Sequence, residues 1–200
     1  MLGACYNYRM VEVHIRHGQA SGKAGWGLTE EGRRQAEAAA DYLRANFPQL
    51  SPICVHSGSR RAVETAQILG LADIEWSKDE RLREADWKGA PEPRRFEAWA
   101  EMYTRVAAAC ESWDAQGADR VVVTHGGTMR MVRAYREELS GERFHLLFEE
   151  PYKYFTNCQM IIYSNENPAN QSVDLEELWV KSVCPWDIGR FGHDWMQVAT

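Results

Sequence analysis

Val121-Val122-Val123-Thr124-His125-Gly126-Gly127 is the stretch that decides the fold of this 200-residue chain. Consecutive valines bury both faces of a strand, the pattern of a central parallel strand covered on both sides by helices. The strand runs into a histidine and a glycine turn. The start of the chain has the same form: Val11 to Ile15 alternates apolar and polar residues, as a strand does, and Arg16-His17-Gly18 follows. In an open parallel sheet the carboxyl ends of the strands face one crevice, where ligands bind. Two imidazoles and a guanidinium meeting in that crevice suit a dense anion such as a phosphoryl group.

Outward from these strands, helices and strands alternate. Thr29 is placed to cap a helix, with Glu30 and Glu31 in its first turn and an apolar face of Ala36, Ala39, Ala40, Leu43 and Phe47. Pro48 and Pro52 flank its exit, and Ile53-Cys54-Val55 reads as a short strand. Ser59 is placed to cap the next helix, which carries Ala62, Val63, Ala66 and Leu69 and ends at Gly70. A weak strand is expected around Ile74-Glu75-Trp76. Phe96, Trp99, Tyr103, Val106, Ala107 and Cys110 predict a helix from Arg94 to Trp113, ended by Gly117. A further helix is expected from Thr128 to Leu139, with Gly141 beyond its end, and a strand over Gln159 to Tyr163. Leu175 to Val180 reads equally as an edge strand or a helical turn.

This alternation predicts an α/β fold, a three-layer α/β/α sandwich with a mostly parallel central sheet. No repeat or low-complexity linker divides the chain, so one domain is expected over 1–200. Its core would span about 10–165, and the aromatic tail over 185–200, with Trp186, Phe191 and Trp195, would pack back on it or form a subunit contact.

Composition narrows the class. Hydrophobic content of 44% with 26% charged residues describes a soluble globular protein rather than a disordered one. A net charge of −6 argues against a broad nucleic-acid or anionic-membrane surface, so a phosphate site must be a local basic pocket in an acidic molecule. The apolar stretches are too short to span a bilayer, and Met1 to Tyr6 lacks the basic start and long apolar core of a secretory signal. Cys5, Cys54, Cys110, Cys158 and Cys184 are scattered, with no Cys-x-x-Cys pair, which points to a reducing, cytoplasmic compartment.

Four segments in order resemble the histidine phosphatase superfamily, which includes the cofactor-dependent phosphoglycerate mutases and many small phosphatases. Arg16-His17-Gly18 with Leu28-Thr29-Glu30-Glu31-Gly32-Arg33-Arg34-Gln35-Ala36 resembles its opening. Ser57-Gly58-Ser59-Arg60-Arg61-Ala62-Val63-Glu64-Thr65-Ala66 looks like its second block, where Ser-Pro-Leu-x-Arg-Ala-x-x-Thr-Ala is usual. Leu82-Arg83-Glu84-Ala85-Asp86-Trp87 is similar to its acid-bearing block, and Thr124-His125-Gly126-Gly127-Thr128-Met129-Arg130 to its last. The likeness spans about Val11 to Tyr163.

The chemistry of these residues can be argued beside the resemblance. His17 is the candidate nucleophile, since an imidazole attacks phosphorus only when neutral at the attacking nitrogen. Guanidinium groups of Arg16 and Arg61 disfavour a second positive charge there. The resemblance implies a transient phosphohistidine on His17 and a two-step, ping-pong reaction. Arg16, Arg61 and His125 suit the equatorial oxygens of the transferring group, where electrostatic stabilisation does most of the work. Arginine's planar fork matches phosphate better than lysine's point charge. The family spacing puts the key arginine immediately before the alanine, which selects Arg61 over Arg60.

Glu84 is the candidate general acid, able to protonate a leaving alkoxide and then activate water. Asp86 is the alternative. The segment Trp87-Lys88-Gly89 is shorter than the family pattern, which usually continues with two glycines. Gly126, Gln19 and Lys23 are further candidates for substrate contact; the Lys23 position is often asparagine in the family. His56 ends a strand and could line the crevice. Gln159 and the aromatics Trp26, Tyr152, Tyr154 and Phe155 could shape the opening.

No metal or other cofactor is expected. His14 and His17 are three apart on a strand and face opposite sides, and no carboxylate cluster suits magnesium. The expected partner is a small phosphorylated substrate, with a phosphoprotein admitted by an open crevice and a homodimer admitted by the tail aromatics. The short segment from Ala85 to Arg120 favours hydrolysis over mutase transfer, because mutases of this family carry a larger insertion there. A catalytically silent phospho-ligand binding module is the rival reading from another class.

Overall fold

The computed structural model describes residues 10–21, 27–71, 75–84, 92–148, 155–167, 171–172, 177–187 and 192–198. Strand β1 (Val11–Arg16) lies at the centre of a seven-stranded sheet. It is followed by α1 (Glu30–Asn46), β2 (Ile53–His56), α2 (Arg60–Leu69), β3 (Trp76–Lys78), α3 (Glu92–Asp114), β4 (Arg120–Thr124) and α4 (Gly126–Arg136). A short α5 (Gly141–Leu146) precedes β5 (Met160–Ser164), β6 (Trp179–Val183) and β7 (Gly192–Gln197). Sheet order is β3-β2-β4-β1-β5-β6-β7.

The α/β sandwich holds, but the sheet is mixed rather than mostly parallel. β1, β2, β3 and β4 pair in parallel, while β5 is antiparallel to β1, β6 to β5 and β7 to β6. Parallel strands need a long crossover, and α1, α2 and α3 supply the crossovers joining β1, β2, β3 and β4. After β5 no helix intervenes among the described residues, so the strands return directly and pair antiparallel. The ambiguous segment before residue 180 is resolved as β6, an internal strand shifted to Trp179–Val183.

Residue alternation sorts the core into two layers. Val11, Val13 and Ile15 with Val121 and Val123 face α1 and α2, meeting Ala36, Ala39, Leu43, Ala62, Ala66 and Leu69. Val122, Ile161 and Tyr163 face the other way, against Met102, Val106, Cys110 and Trp113 of α3 and Met129 and Val132 of α4. The unbroken valine run therefore feeds both layers. Trp186 and Trp195 of the C-terminal part pack against the first layer. Cys54, Cys110, Cys158 and Cys184 are free, buried thiols. Among the described residues no helix is long and apolar enough to cross a membrane.

The helix ends follow local chemistry in most places. Thr29 Oγ1 accepts from Gly32 N at 3.0 Å, capping α1. Gly70 ends α2 in the left-handed region at φ 51°. Ser59 stands at the start of α2 but makes no side-chain cap; its hydroxyl lies near Ser57 and His125 instead. α4 starts at Gly126, directly after His125, and stops at Arg136 rather than Leu139.

Far from the glycine turns, a buried charged cluster clamps α4 to β1. Arg136 donates to both Glu12 oxygens, Nη2 at 2.7 Å and Nε at 3.1 Å, and pairs with Asp114 at 2.8 Å. His14 Nε2 bonds the same Glu12 carboxylate. Burial alone would raise the Glu12 carboxyl, but Arg136 and then His14 hold it well below the usual range. Removing one partner of such a pair strands a buried charge. Arg136→Met is therefore expected to lower unfolding free energy by about 3–5 kcal/mol, read from the urea midpoint.

Candidate active site

Register brings the two histidines together. Arg16 lies opposite Thr124 in the parallel β1–β4 pair, so the next residues, His17 and His125, leave the sheet side by side. Their ring centroids are 5.1 Å apart, edge to face. His17 N donates to Thr124 O at 2.9 Å, fixing the join.

Two glycines let the chain after His17 pass close to α1. A Cβ on Gly18 would sit 2.4 Å from Gly32 O, and one on Gly32 would sit 2.0 Å from Gln19 O. Real side chains do not tolerate such contacts. Thr65 Oγ1 of α2 then accepts from Gly18 N at 3.0 Å and donates to Arg61 O at 2.7 Å.

The ring contacts define a tautomer. His17 Nδ1 is 2.8 Å from Gly18 O, an acceptor only, so Nδ1 carries the proton. Nε2 then keeps its lone pair and accepts from Arg61 Nε at 2.9 Å. Arg61 Nη2 reaches His125 Nδ1 at 3.2 Å, which leaves the His125 proton on Nε2, directed to Ser57 Oγ at 2.8 Å. Burial, aided by Arg16 and Arg61 and opposed by the bond to Gly18, lowers His17 to about 3. Burial, then His17 and the neighbouring arginines, lowers His125 to about 2. Both imidazoles are thus neutral, and His17 Nε2 keeps its lone pair.

Arg16 turns towards the same crevice. Its Nη1 donates to Phe155 O, while Nε is buried with no hydrogen-bond partner and lies 3.8 Å from a Cβ built on Gly126. The unspent donor stands beside the N-terminus of α4, where backbone N–H groups favour anions.

Glu84 reaches this N-terminus too. Gly127 N donates to Glu84 Oε2 at 3.3 Å. The segment before it is held by its carbonyls: Leu82 O accepts from Thr124 Oγ1 at 2.9 Å and Thr128 Oγ1 at 3.1 Å. Arg105 of α3 donates to Arg81 O and, at 2.6 Å, to Arg83 O. The carboxylate sits where a side chain at residue 127 would be, since a Cβ there would lie 2.3 Å from Glu84 Oε1. Gly127→Ala is expected to displace Glu84 and cut kcat about tenfold to a hundredfold while phosphate still inhibits, in steady-state assays.

Other candidates are placed elsewhere. Gln19 is exposed, and its side chain accepts from Thr29 Oγ1 at 2.8 Å, so it braces the α1 cap. His56 stacks on Trp76 and accepts from Gly58 N, away from His17. His14 packs against Trp113 and Tyr163 in the second core layer. Gln159 Nε2 donates to Ser182 Oγ, tying β5 to β6. Lys23, Asp86, Trp26, Tyr152 and Tyr154 lie outside the described residues. Among the described residues no group of three or more His, Cys, Asp or Glu is placed to hold a metal ion. Ser57, Thr65, Arg105 and Asn157 contribute contacts that sequence reading did not single out. A serine at a strand end facing a second strand-end histidine could have flagged Ser57.

The model of the histidine phosphatase superfamily (branch 1) matches residues 13–92 and 85–154. The chain belongs to that superfamily. The mycobacterial glucosyl-3-phosphoglycerate phosphatase is a similar solved structure, with 25% identity and TM-score 0.62, covering 79% of this chain and 91% of that one. YhfR of Bacillus stearothermophilus has 24% identity and TM-score 0.62, covering 84% and 96%. Phosphoserine phosphatase of Entamoeba histolytica, in complex with 3-phosphoglyceric acid, has 19% identity and TM-score 0.61, covering 77% and 90%. The latter two likenesses speak to the fold. A search of curated proteins gives no significant match. The family and the fold are those of an enzyme, a phosphatase of the histidine phosphatase type.

Proposed function

We propose that this histidine phosphatase hydrolyses phosphate monoesters without a metal, through a phosphohistidine on His17. The observation that carries the reading is the Nδ1–H bond to Gly18 O, which leaves Nε2 unprotonated beside Arg61. In the first step the Nε2 lone pair attacks phosphorus and the ester P–O bond breaks. Glu84, as the carboxylic acid, gives its proton to the leaving alkoxide. Arg61 releases Nε2 and, with Arg16 Nε, holds the equatorial oxygens, and His125 joins them by turning its Nε2–H from Ser57. In the second step Glu84, now the carboxylate, takes a proton from water. The water oxygen attacks phosphorus, the P–N bond breaks, and its electron pair returns to Nε2. Two guanidinium groups and the α4 N-terminus supply the positive charge that another site would draw from a metal.

The substrate class is a small phosphate monoester, with Gly126 at the start of α4 beside Arg16. The solved relatives named for glucosyl-3-phosphoglycerate and phosphoserine phosphatase activity support small phosphorylated substrates. A phosphorylated side chain of a protein is the alternative substrate. The buried free thiols support a reducing, cytoplasmic location, and the chain is taken to work as one domain over 1–200.

The test is hydrolysis of an aryl phosphate after chelator treatment, with rapid quenching into alkaline denaturant and mass spectrometry of the peptide holding His17. Turnover with phosphate on His17, and with no bisphosphorylated primer, is the expected result. Turnover that vanishes on chelation, or phosphate on another residue, would overturn the proposal.

A further inference from the structure

The C-terminal part of the chain reaches the nucleophile. The loop before β5 lies beyond residue 154, where the family match ends. It wraps the Arg16–His17 segment with three bonds. Arg16 N donates to Gln159 O at 3.1 Å, Cys158 N donates to Arg16 O at 3.0 Å, and Asn157 Nδ2 donates to His17 O at 3.0 Å. Cys158 takes the left-handed backbone, φ 52°, at the turn that presents these groups together. Trp186, after β6, donates its indole Nε1–H to Asn157 O at 2.6 Å.

The geometry points to Asn157 and Trp186 as positioning residues for His17, resting on the reading of His17 as nucleophile. The peptide joining His17 to Gly18 is gripped at both ends, its oxygen by Asn157 Nδ2 and its nitrogen by Thr65 Oγ1. Gly18 O, in the next peptide, accepts the hydrogen bond from His17 Nδ1–H. Rotation of that peptide would carry Gly18 O away from the ring. The grip therefore holds both the tautomer and the aim of Nε2. Asn157 is itself held by Trp186, whose ring packs against Trp195's own core layer. The segment after β6 is in this way part of the apparatus that aims the nucleophile. A misplacement of about 1 Å at a reacting atom costs about a hundredfold in rate.

Trp186→Phe keeps an aromatic ring, smaller than the indole, and removes the donor. Asn157→Leu keeps the approximate shape and removes the side-chain amide. Both are compared with the unaltered protein for kcat, for the rate of phosphate appearance on His17 after rapid quench, and for competitive inhibition by inorganic phosphate. Thermal midpoints give the fraction folded. The expected result is a drop in the His17 phosphorylation rate of about tenfold to a hundredfold in Asn157→Leu. A smaller drop is expected in Trp186→Phe, with phosphate inhibition within about twofold of the unaltered protein in both. Unchanged phosphorylation rates, or a phosphate inhibition constant that rises in parallel with the lost rate, would overturn it. If Asn157→Leu fails to fold, Trp186→Phe decides alone. Absence of phosphate on His17 in the unaltered protein is a different failure, that of the nucleophile itself.

Discussion

His17→Ala is expected to lower turnover of an aryl phosphate by about 10,000-fold or more, the scale at which an enzyme loses its nucleophile. Arg16, Arg61 and the α4 N-terminus remain, so inorganic phosphate should still inhibit or bind. A lesser loss would mean that water attacks directly and that the imidazole only binds. The pH behaviour follows from the same groups. His17 at about 3 and His125 at about 2 are both depressed below the ordinary value of 6.5. Neither should therefore impose an acid limb on the rate between pH 5 and 8. Stability moves the other way. Between pH 6.5 and about 3 the unfolded chain binds protons at these histidines and the folded chain does not. Unfolding free energy then rises with pH across that window and is lost as pH falls through it. The thermal midpoint of the free protein should fall from pH 7 to pH 5, and phosphate, which binds only the folded site, should restore part of the loss.

Strand-end grammar made the heart of the site legible. Val121 to His125 and Val11 to His17 each showed a strand meeting a glycine turn, and parallel pairing then brings the two histidines to one edge. Arg61 could be chosen over Arg60 because the resemblance puts the family's arginine immediately before the alanine. The mixed sheet was not legible. The apolar run of Met160–Ser164 and the partial alternation of Trp179–Val183 report burial, not direction, and direction depends on the connections. Gly141 does lie beyond the end of α4, but it also opens the short α5, which no sequence signal announces. Ser59 was read as a cap because local propensity cannot see His125 across the sheet. Asn157 carried no signal at all. Its bond to His17 spans 140 positions and needs the left-handed Cys158 turn to exist first.

Glu84→Gln separates the two halves of the chemistry. The substitution keeps the size of the side chain near Gly127 N and removes the proton that the leaving oxygen would receive. General acid catalysis is worth about 100-fold to 10,000-fold, and more when the leaving group is a poor one. An alkyl phosphate should therefore lose nearly the full amount in the first step, while an aryl phosphate, whose phenolate leaves without help, should lose far less there. The second step uses the same residue as base. With an aryl phosphate the variant should phosphorylate His17 quickly and release phosphate slowly, so a burst of phenol equal to the enzyme concentration should precede a slow steady state. Equal losses on both substrates with no burst would remove Glu84 from proton transfer and leave it a structural partner of the α4 N-terminus. Asp86 would then be the next carboxyl to substitute, read by the same pair of leaving groups.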